Sequence, residues 1–126
     1  MTSDPAEWLR QAEYDMETAG VLMKEKRYIY VVFMSHLSIE KALKGLFVKK
    51  FSEEPPKTHS LIHMAETLKL HLPEHLNECI FLLNRVSVPA RYPSDLQSLI
   101  DTYDDAKTRP LFVAAGEVLA WLKKKY

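Results

Sequence analysis

The sequence is poor in the residues that build β-rich folds and disulfide-bonded scaffolds. Its 126 residues include three glycines and one cysteine. So little glycine disfavours β-sandwiches and β-barrels, which need many turns, and a single cysteine excludes an intrachain disulfide. The longest apolar run, residues 29–34, is far too short to cross a membrane. We therefore expect no membrane association and, because no secretory signal peptide is recognisable, a cytoplasmic location.

Neither sign of charge is in excess. Lysine plus arginine and aspartate plus glutamate number 17 each, so the formal net charge at pH 7 is zero. The chain thus lacks the global basic excess that neutralises nucleic-acid phosphates, although a local basic patch is compatible with this balance. The length suits one domain with one core, and residues 1–126 are predicted to form a single domain.

What the chain does have is apolar residues at three- and four-residue spacing, the period of amphipathic helices. Asp4 and Pro5 suit the cap and first turn of a helix that runs to about residue 24. Further helices are predicted over residues 28–50, 59–70 (capped by Thr58), 74–84 and 103–124, with a short turn over 96–101. Residues 85–95, which contain two prolines, are predicted to be irregular. The prediction is an all-α fold, an up-and-down bundle of four to five helices.

The last predicted helix has little polar surface. Between Val113 and Leu122 it is apolar almost all round, with Glu117 as the only charge. A helix buried on more than one side needs a second partner. We therefore predict a subunit interface here and a homodimer.

Charged residues lie on the apolar face of the second predicted helix. His36, Glu40 and Lys44 are four residues apart and line one face. Burying an isolated charge is costly, so these groups need partners or water. One interpretation is a Glu40–Lys44 ion pair, with Asp15 of the first helix completing a small network. The other is that the stripe borders a cleft where a polar ligand supplies the missing partners.

Histidines at four-residue spacing raise the question of a metal site. The pairs are His59 with His63 and His71 with His75. A zinc site needs further ligands, and the segment His-Ser-Leu-Ile-His lacks the glutamate of a metalloprotease helix. We therefore predict no metal and no cofactor. His59 is expected in the first turn of its helix, where free backbone N–H groups could hold an anion, or where it is simply a helix-start histidine.

Arg91 and Tyr92 lie in the stretch predicted to be irregular. They precede Pro93, so a guanidinium and an aromatic ring stand side by side on a stiffened chain. This pair could hold a phosphate or stack on a base. Equally, Arg91 could pair with Asp15 or Glu40 and pin the loop. No nucleophilic elbow and no glycine-rich phosphate loop is recognisable.

Several residues and short segments form a pattern when taken in order along the chain: Trp8, Ala12, Asp15, Ala19 and Leu22, then Tyr28, Phe33 and residues 39–44, then residues 58–61 and 90–93. This pattern resembles the prokaryotic HEPN domain. It implies a bundle of four or five helices, often a homodimer. It also implies a genomic partnership with a small nucleotidyltransferase, in toxin–antitoxin or other defence-type systems.

Many HEPN proteins are metal-independent ribonucleases with an Arg-x(4–6)-His motif, in which arginine holds the phosphate and histidine moves the proton. Here His36 is too far from Arg27 to complete it, and no histidine follows Arg85. The resemblance therefore implies a non-catalytic module that contacts nucleotide or RNA. Its predicted ligand-binding residues are Lys44, His59, Arg91 and Tyr92, with Asp15, His36 and Glu40 as the supporting polar network. Two alternatives stay open: a metal-independent ribonuclease with a non-standard site built from Arg91 and His59, and a purely structural interaction protein.

Overall fold

The computed structural model describes residues 2–87 and 92–126, and within these ranges all regular structure is helical. The six helices are α1 (Pro5–Lys24), α2 (Tyr28–Phe51), α3 (Leu61–Thr67), α4 (Glu74–Ser87), α5 (Pro93–Thr102) and α6 (Asp105–Lys123). The all-α prediction is confirmed. The helices outnumber the predicted four to five because residues 93–102, predicted to hold only a short turn, form α5. Pro93 occupies the start of α5, where its missing N–H leaves no helical hydrogen bond unmade.

The two longest helices, α1 and α2, form an antiparallel pair. α1 begins as predicted, with Asp4 Oδ1 accepting a hydrogen bond from the Ala6 N–H at 3.0 Å. A three-residue connection, in which Lys26 has a φ of 60°, reverses the chain. The helices then pack along most of their length, and Ser38 Oγ donates to the Ala12 carbonyl at 2.6 Å.

α2 is the central helix of the bundle. It contacts α1, α3, α4, α5 and α6, and a helix with so many neighbours buries more than one face. The fully buried side chains of the core include Ile39, Leu43, Leu61, Met64, Ile80, Leu83, Val118 and Leu122. Polar residues on such a helix have little access to water, so those of α2 must find partners inside the protein.

α3 is shorter than predicted and starts later. Its cap is Ser60, whose Oγ accepts from the His63 N–H at 3.1 Å, while Thr58 Oγ1 accepts from the Ser60 N–H at 3.1 Å. The prediction that Thr58 caps this helix and that His59 occupies its first turn is therefore wrong. The helix ends at Thr67, and Lys69 adopts the left-handed conformation that follows many helix ends.

α6 starts where the Asp104 carboxylate accepts from the Lys107 N–H at 2.9 Å, two residues later than predicted. Its inner face buries Val118 and Leu122, whereas Val113 is half exposed. The subunit interface expected on this helix stays a prediction. No helix in the described ranges combines the length and apolarity needed to span a membrane.

Candidate functional site

A buried carboxylate on α2, that of Glu40, is the centre of a polar cluster. Lys44 Nζ, one turn further along, donates to Glu40 Oε2 at 3.2 Å. Glu40 Oε1 lies 3.0 Å from His59 Nδ1 and 3.9 Å from His36 Nδ1. Glu40 is only 6% exposed. We call these four residues, Glu40, His36, Lys44 and His59, the Glu40 cluster.

His36 ties α2 to the backbone just before α3. Its Nε2 lies 3.0 Å from the carbonyl oxygen of His59. A carbonyl can only accept, so the proton of this hydrogen bond belongs to His36 Nε2. The sequence places His36 and Glu40 on one face of a helix, and the structure shows that this face meets the turn at residue 59.

The same turn is held from a second helix. Asn84 of α4 accepts the Leu61 N–H through Oδ1 at 2.7 Å. α2 and α4 together therefore clamp residues 59–61, which explains why α3 starts at Leu61 and not earlier. Sequence reasoning did not single out Asn84, because nothing in a local pattern indicates which distant turn a side-chain amide will reach.

His59 is the member of the Glu40 cluster that opens to solvent. Its side chain is 56% exposed, whereas those of Glu40 and Lys44 are 7% and 11% exposed. Because a carboxylate accepts, Nδ1 carries the proton that faces Glu40. The ring is thereby oriented, and Nε2 is the nitrogen that Glu40 does not engage. A carboxylate behind a histidine is a common way to orient its ring.

Three basic side chains surround the single carboxylate of the Glu40 cluster, those of Lys44, His36 and His59. Lys44 forms an ion pair with Glu40 inside the protein. The His59 ring is the part of the cluster at the surface, so a ligand that reaches the cluster meets a hydrogen-bonding imidazole.

Asp15 does not join this cluster in the described structure. Its Oδ2 lies 2.9 Å from Lys41 Nζ, at a contact between α1 and α2. The two atoms form a close ion pair, but their geometry is not that of an aligned hydrogen bond. Asp15 Oδ2 therefore has no hydrogen-bond partner among the described residues. Lys41 follows Glu40 directly, but successive helical residues point about 100° apart, so the two side chains reach different neighbours.

The two predicted residues of the irregular stretch differ in what the structure shows. Tyr92 precedes α5, is 58% exposed, and its carbonyl accepts from the Leu96 N–H at 2.7 Å. Arg91 lies outside the described residues, so its approach to His59, Glu40 or Asp15 stays a prediction.

The remaining histidines and the cysteine do not converge on a second site of this kind. His75 Nε2 lies 3.2 Å from Glu117 Oε2 on an exposed surface. Among residues 2–87 and 92–126, no group of three or more His, Cys, Asp and Glu side chains is arranged to hold a metal ion. Burial raises the pKa of the Cys79 thiol to about 12, so this cysteine is not an activated nucleophile.

Comparison with known proteins decides the family. The family model of the HEPN domain matches residues 5–125. This chain belongs to the HEPN family. The resemblance inferred from the sequence is thus confirmed, and the Glu40 cluster lies within a HEPN domain. No curated protein matches the sequence.

Two solved structures share this HEPN fold. TT1696 from Thermus thermophilus superposes with a TM-score of 0.83 at 23% identity, covering 97% of this chain and 98% of that one. ST0689, an archaeal HEPN homologue, superposes with a TM-score of 0.76 at 26% identity, covering 97% of each chain. The similarity to TT1696 concerns the fold alone.

Proposed function

We propose that this HEPN domain is a non-catalytic binding module that contacts nucleotide or RNA at the open side of the Glu40 cluster. The observation that supports this most directly is the half-exposed His59 ring, held from behind by buried Glu40. An oriented ring with an unengaged nitrogen loses little conformational freedom when it binds a phosphate or a base edge. Lys44 lies on the other oxygen of the same carboxylate and balances its charge from within the protein.

Arg91 and Tyr92 complete the proposed binding residues. Tyr92 presents an exposed ring at the start of α5, suited to stacking on a base. Arg91, its neighbour in sequence, supplies a guanidinium for a phosphate. In this proposal Glu40 and His36 orient the turn that carries His59. Asp15 contributes only to the packing of α1 on α2.

The partners proposed for this module come from its family. We infer a homodimer, a small nucleotidyltransferase as the protein partner, and a toxin–antitoxin-like system in the cytoplasm. The half-exposed Val113 on the largely apolar α6 is compatible with a subunit contact. Affinity purification of the tagged chain from its native cells, followed by mass spectrometry, tests the partnership. Recovery of the chain without any nucleotidyltransferase would remove this part of the proposal.

Ligand binding is tested by titrating a fluorescently labelled single-stranded RNA, and in parallel ATP, at low salt. We expect His59→Ala and Arg91→Ala to weaken binding roughly tenfold each, the loss expected for one charge-assisted contact. His71→Ala is the matched control, because this exposed histidine lies in the connection between α3 and α4. Circular dichroism should show the same helical content in all variants.

Two results would contradict the proposed binding. One is the absence of measurable binding of RNA and ATP by the wild-type protein at low salt, where electrostatic attraction is strongest. The other is an equal loss of affinity in His59→Ala and His71→Ala, which would mean that histidines in general, and not the Glu40 cluster, govern the interaction.

One observation favours a second function, a metal-independent ribonuclease. A histidine backed by a carboxylate can take up and release a proton, and His59 has this arrangement with Glu40. The reaction would also need a cation on the scissile phosphate, the role open to Arg91. An RNA cleavage assay of the purified protein decides between the two functions. Equal cleavage by wild type and His59→Ala would exclude this catalytic site.

A further inference from the structure

Three lysines line a cleft near the C-terminal end of α2. Lys49 and Lys50 belong to the last turn of α2, and Lys125 follows the end of α6. The floor between them is apolar and is formed by Leu46, Leu68 and Leu70. The cleft has a volume of about 310 Å³. We call these six residues the lysine cleft; none of them belongs to the Glu40 cluster.

Two of the three ammonium groups, those of Lys50 and Lys125, have only neutral partners among the described residues. Lys49 Nζ donates to a main-chain oxygen of Tyr126, the last of the 126 residues, where a carboxylate offsets its charge. Lys50 Nζ donates to the carbonyl of Leu68 at 3.3 Å. Lys125 Nζ lies 4.6 Å from the centroid of the Trp121 ring. Across residues 2–87 and 92–126, no Asp or Glu side chain forms an ion pair with any of the three.

Helix ends offset only part of this positive charge. The C-terminal ends of α2, α3 and α6 meet near the lysine cleft, since Phe51, Leu68 and Lys124 are the residues at or just after them. Each end is equivalent to at most about half a negative charge. Three ends therefore balance at most about 1.5 of the two positive charges of Lys50 and Lys125. The remaining positive charge favours an anion at the rim of the cleft.

We propose that the lysine cleft binds a small amphiphilic anion, with its carboxylate on the lysines and its aliphatic body on the leucines. The leucine floor offers no hydrogen-bond donors or acceptors from its side chains, so it suits a hydrocarbon better than a nucleobase. The volume lies at the lower end of the range for ligand sites, which suits a ligand of about ten non-hydrogen atoms. The site is independent of the proposed nucleotide or RNA contact.

Octanoate, a carboxylate of this size, is the probe. We expect it to bind the full chain in calorimetric titration, and to shift the methyl resonances of Leu46, Leu68 and Leu70 in NMR spectra. Lys50→Gln should weaken binding roughly tenfold, the value of one charge-assisted contact. Lys124→Gln is the control variant. It also removes one lysine charge, at the end of α6 beside Lys125, but Lys124 does not line the cleft.

Two further compounds test separately the charged group and the aliphatic body of the ligand. Acetate, which lacks the aliphatic body, and octan-1-ol, which lacks the charge, should each bind roughly tenfold more weakly than octanoate, or weaker still. Lys125→Gln provides a second lysine variant should Lys50→Gln fold poorly. The proposal is overturned if octanoate does not bind, if octan-1-ol binds as well as octanoate, or if Lys124→Gln weakens binding as much as the cleft variants do.

Discussion

Two buried carboxylates contact basic residues of the central helix α2, and they differ in what surrounds them. Asp15 and Glu40 are both 6% exposed. Asp15 faces one cation, Lys41, at the contact between α1 and α2. Glu40 faces Lys44 and two histidines, and one of these histidines reaches the surface. The Asp15–Lys41 pair joins two helices, whereas the Glu40 cluster includes the His59 ring, which a ligand can reach from solvent.

This difference separates a structural ion pair from a candidate site. Residues 40 and 41 are adjacent and of opposite charge, which in sequence reads as one charged patch. On the helix they turn about 100° apart, so each pairs with a different element. Burial and charge alone therefore do not identify a functional residue. What distinguishes Glu40 is a basic group that it orients and that water also reaches.

The largest effect is expected from Glu40→Leu, which would leave Lys44 buried without its partner. Breaking a buried ion pair from one side typically costs about 3–5 kcal/mol in the free energy of unfolding. The double variant Glu40→Leu/Lys44→Met removes both charges and should recover most of that loss. Urea denaturation measures both. A single variant as stable as the wild type would show that Glu40 and Lys44 do not depend on each other.

Gly45→Ala should disturb the packing of α1 against α2. It does not change any of the charged residues of α2. A Cβ at residue 45 would lie 2.7 Å from Trp8 Cβ and would also meet the Tyr126 hydroxyl. Alanine favours a helix over glycine by about 1 kcal/mol, but overpacking costs about 1–3 kcal/mol. We expect a net loss of up to about 2 kcal/mol in urea denaturation. A stabilised variant would mean that α1 moves away from α2 easily.

Asp15→Asn and Glu40→Gln compare the two carboxylates directly, since each replaces a carboxylate by an amide of similar shape. Lys41 keeps 21% of its side chain exposed and can be hydrated when Asp15 loses its charge. We expect Asp15→Asn to cost about 1 kcal/mol. Glu40→Gln should cost more, about 2 kcal/mol, because Lys44 lacks that access to water. Equal losses of stability in thermal or urea denaturation would show that the greater exposure of Lys41 does not make the Asp15 charge easier to remove than that of Glu40.

The smallest effect on stability is expected from Asp105→Asn. Asp105 is an exposed carboxylate and serves as the reference for buried Asp15 and Glu40. Arg109 hydrogen-bonds both oxygens of Asp105 at 2.9 and 2.8 Å and lowers the pKa of that carboxyl below its ordinary value. A lowered pKa in the folded state gives a stabilisation that is present above the unfolded value and lost as the pH falls through the folded value. The variant should melt slightly earlier than the wild type at neutral pH, and this difference should shrink in strongly acidic solution. A large difference that persists in acid would contradict the expected role of this ion pair.

Helices with clear local signals were predicted well. Asp4 and Pro5 mark the start of α1, and the observed helix covers Pro5–Lys24 as expected. α2 was predicted over residues 28–50 and covers Tyr28–Phe51. The signals are the capped start of α1 and the paired prolines Pro55 and Pro56 that follow α2, and both operate within a few residues.

Where two local signals compete, the sequence did not decide. Thr58 and Ser60 can both cap a helix, and the choice of Ser60 follows from contacts made by residues far away in the sequence. His36 and Asn84 hold the turn that precedes α3. The prolines of residues 85–95 indicated irregular chain, yet Pro93 begins α5 because proline is favoured in a first helical turn.

By itself, the sequence determined that this chain is all-helical and that His36, Glu40 and Lys44 lie on one face of one helix, because helical periodicity and caps are local properties. The family was indicated separately, by the resemblance of residues in order along the chain to the HEPN domain. Only the tertiary structure decided what meets that face. It brought His59 to Glu40 and gave Asp15 to Lys41. Pairings of this kind depend on how helices rotate and pack against one another. That rotation is settled by the whole core at once, and no short segment of the chain encodes it.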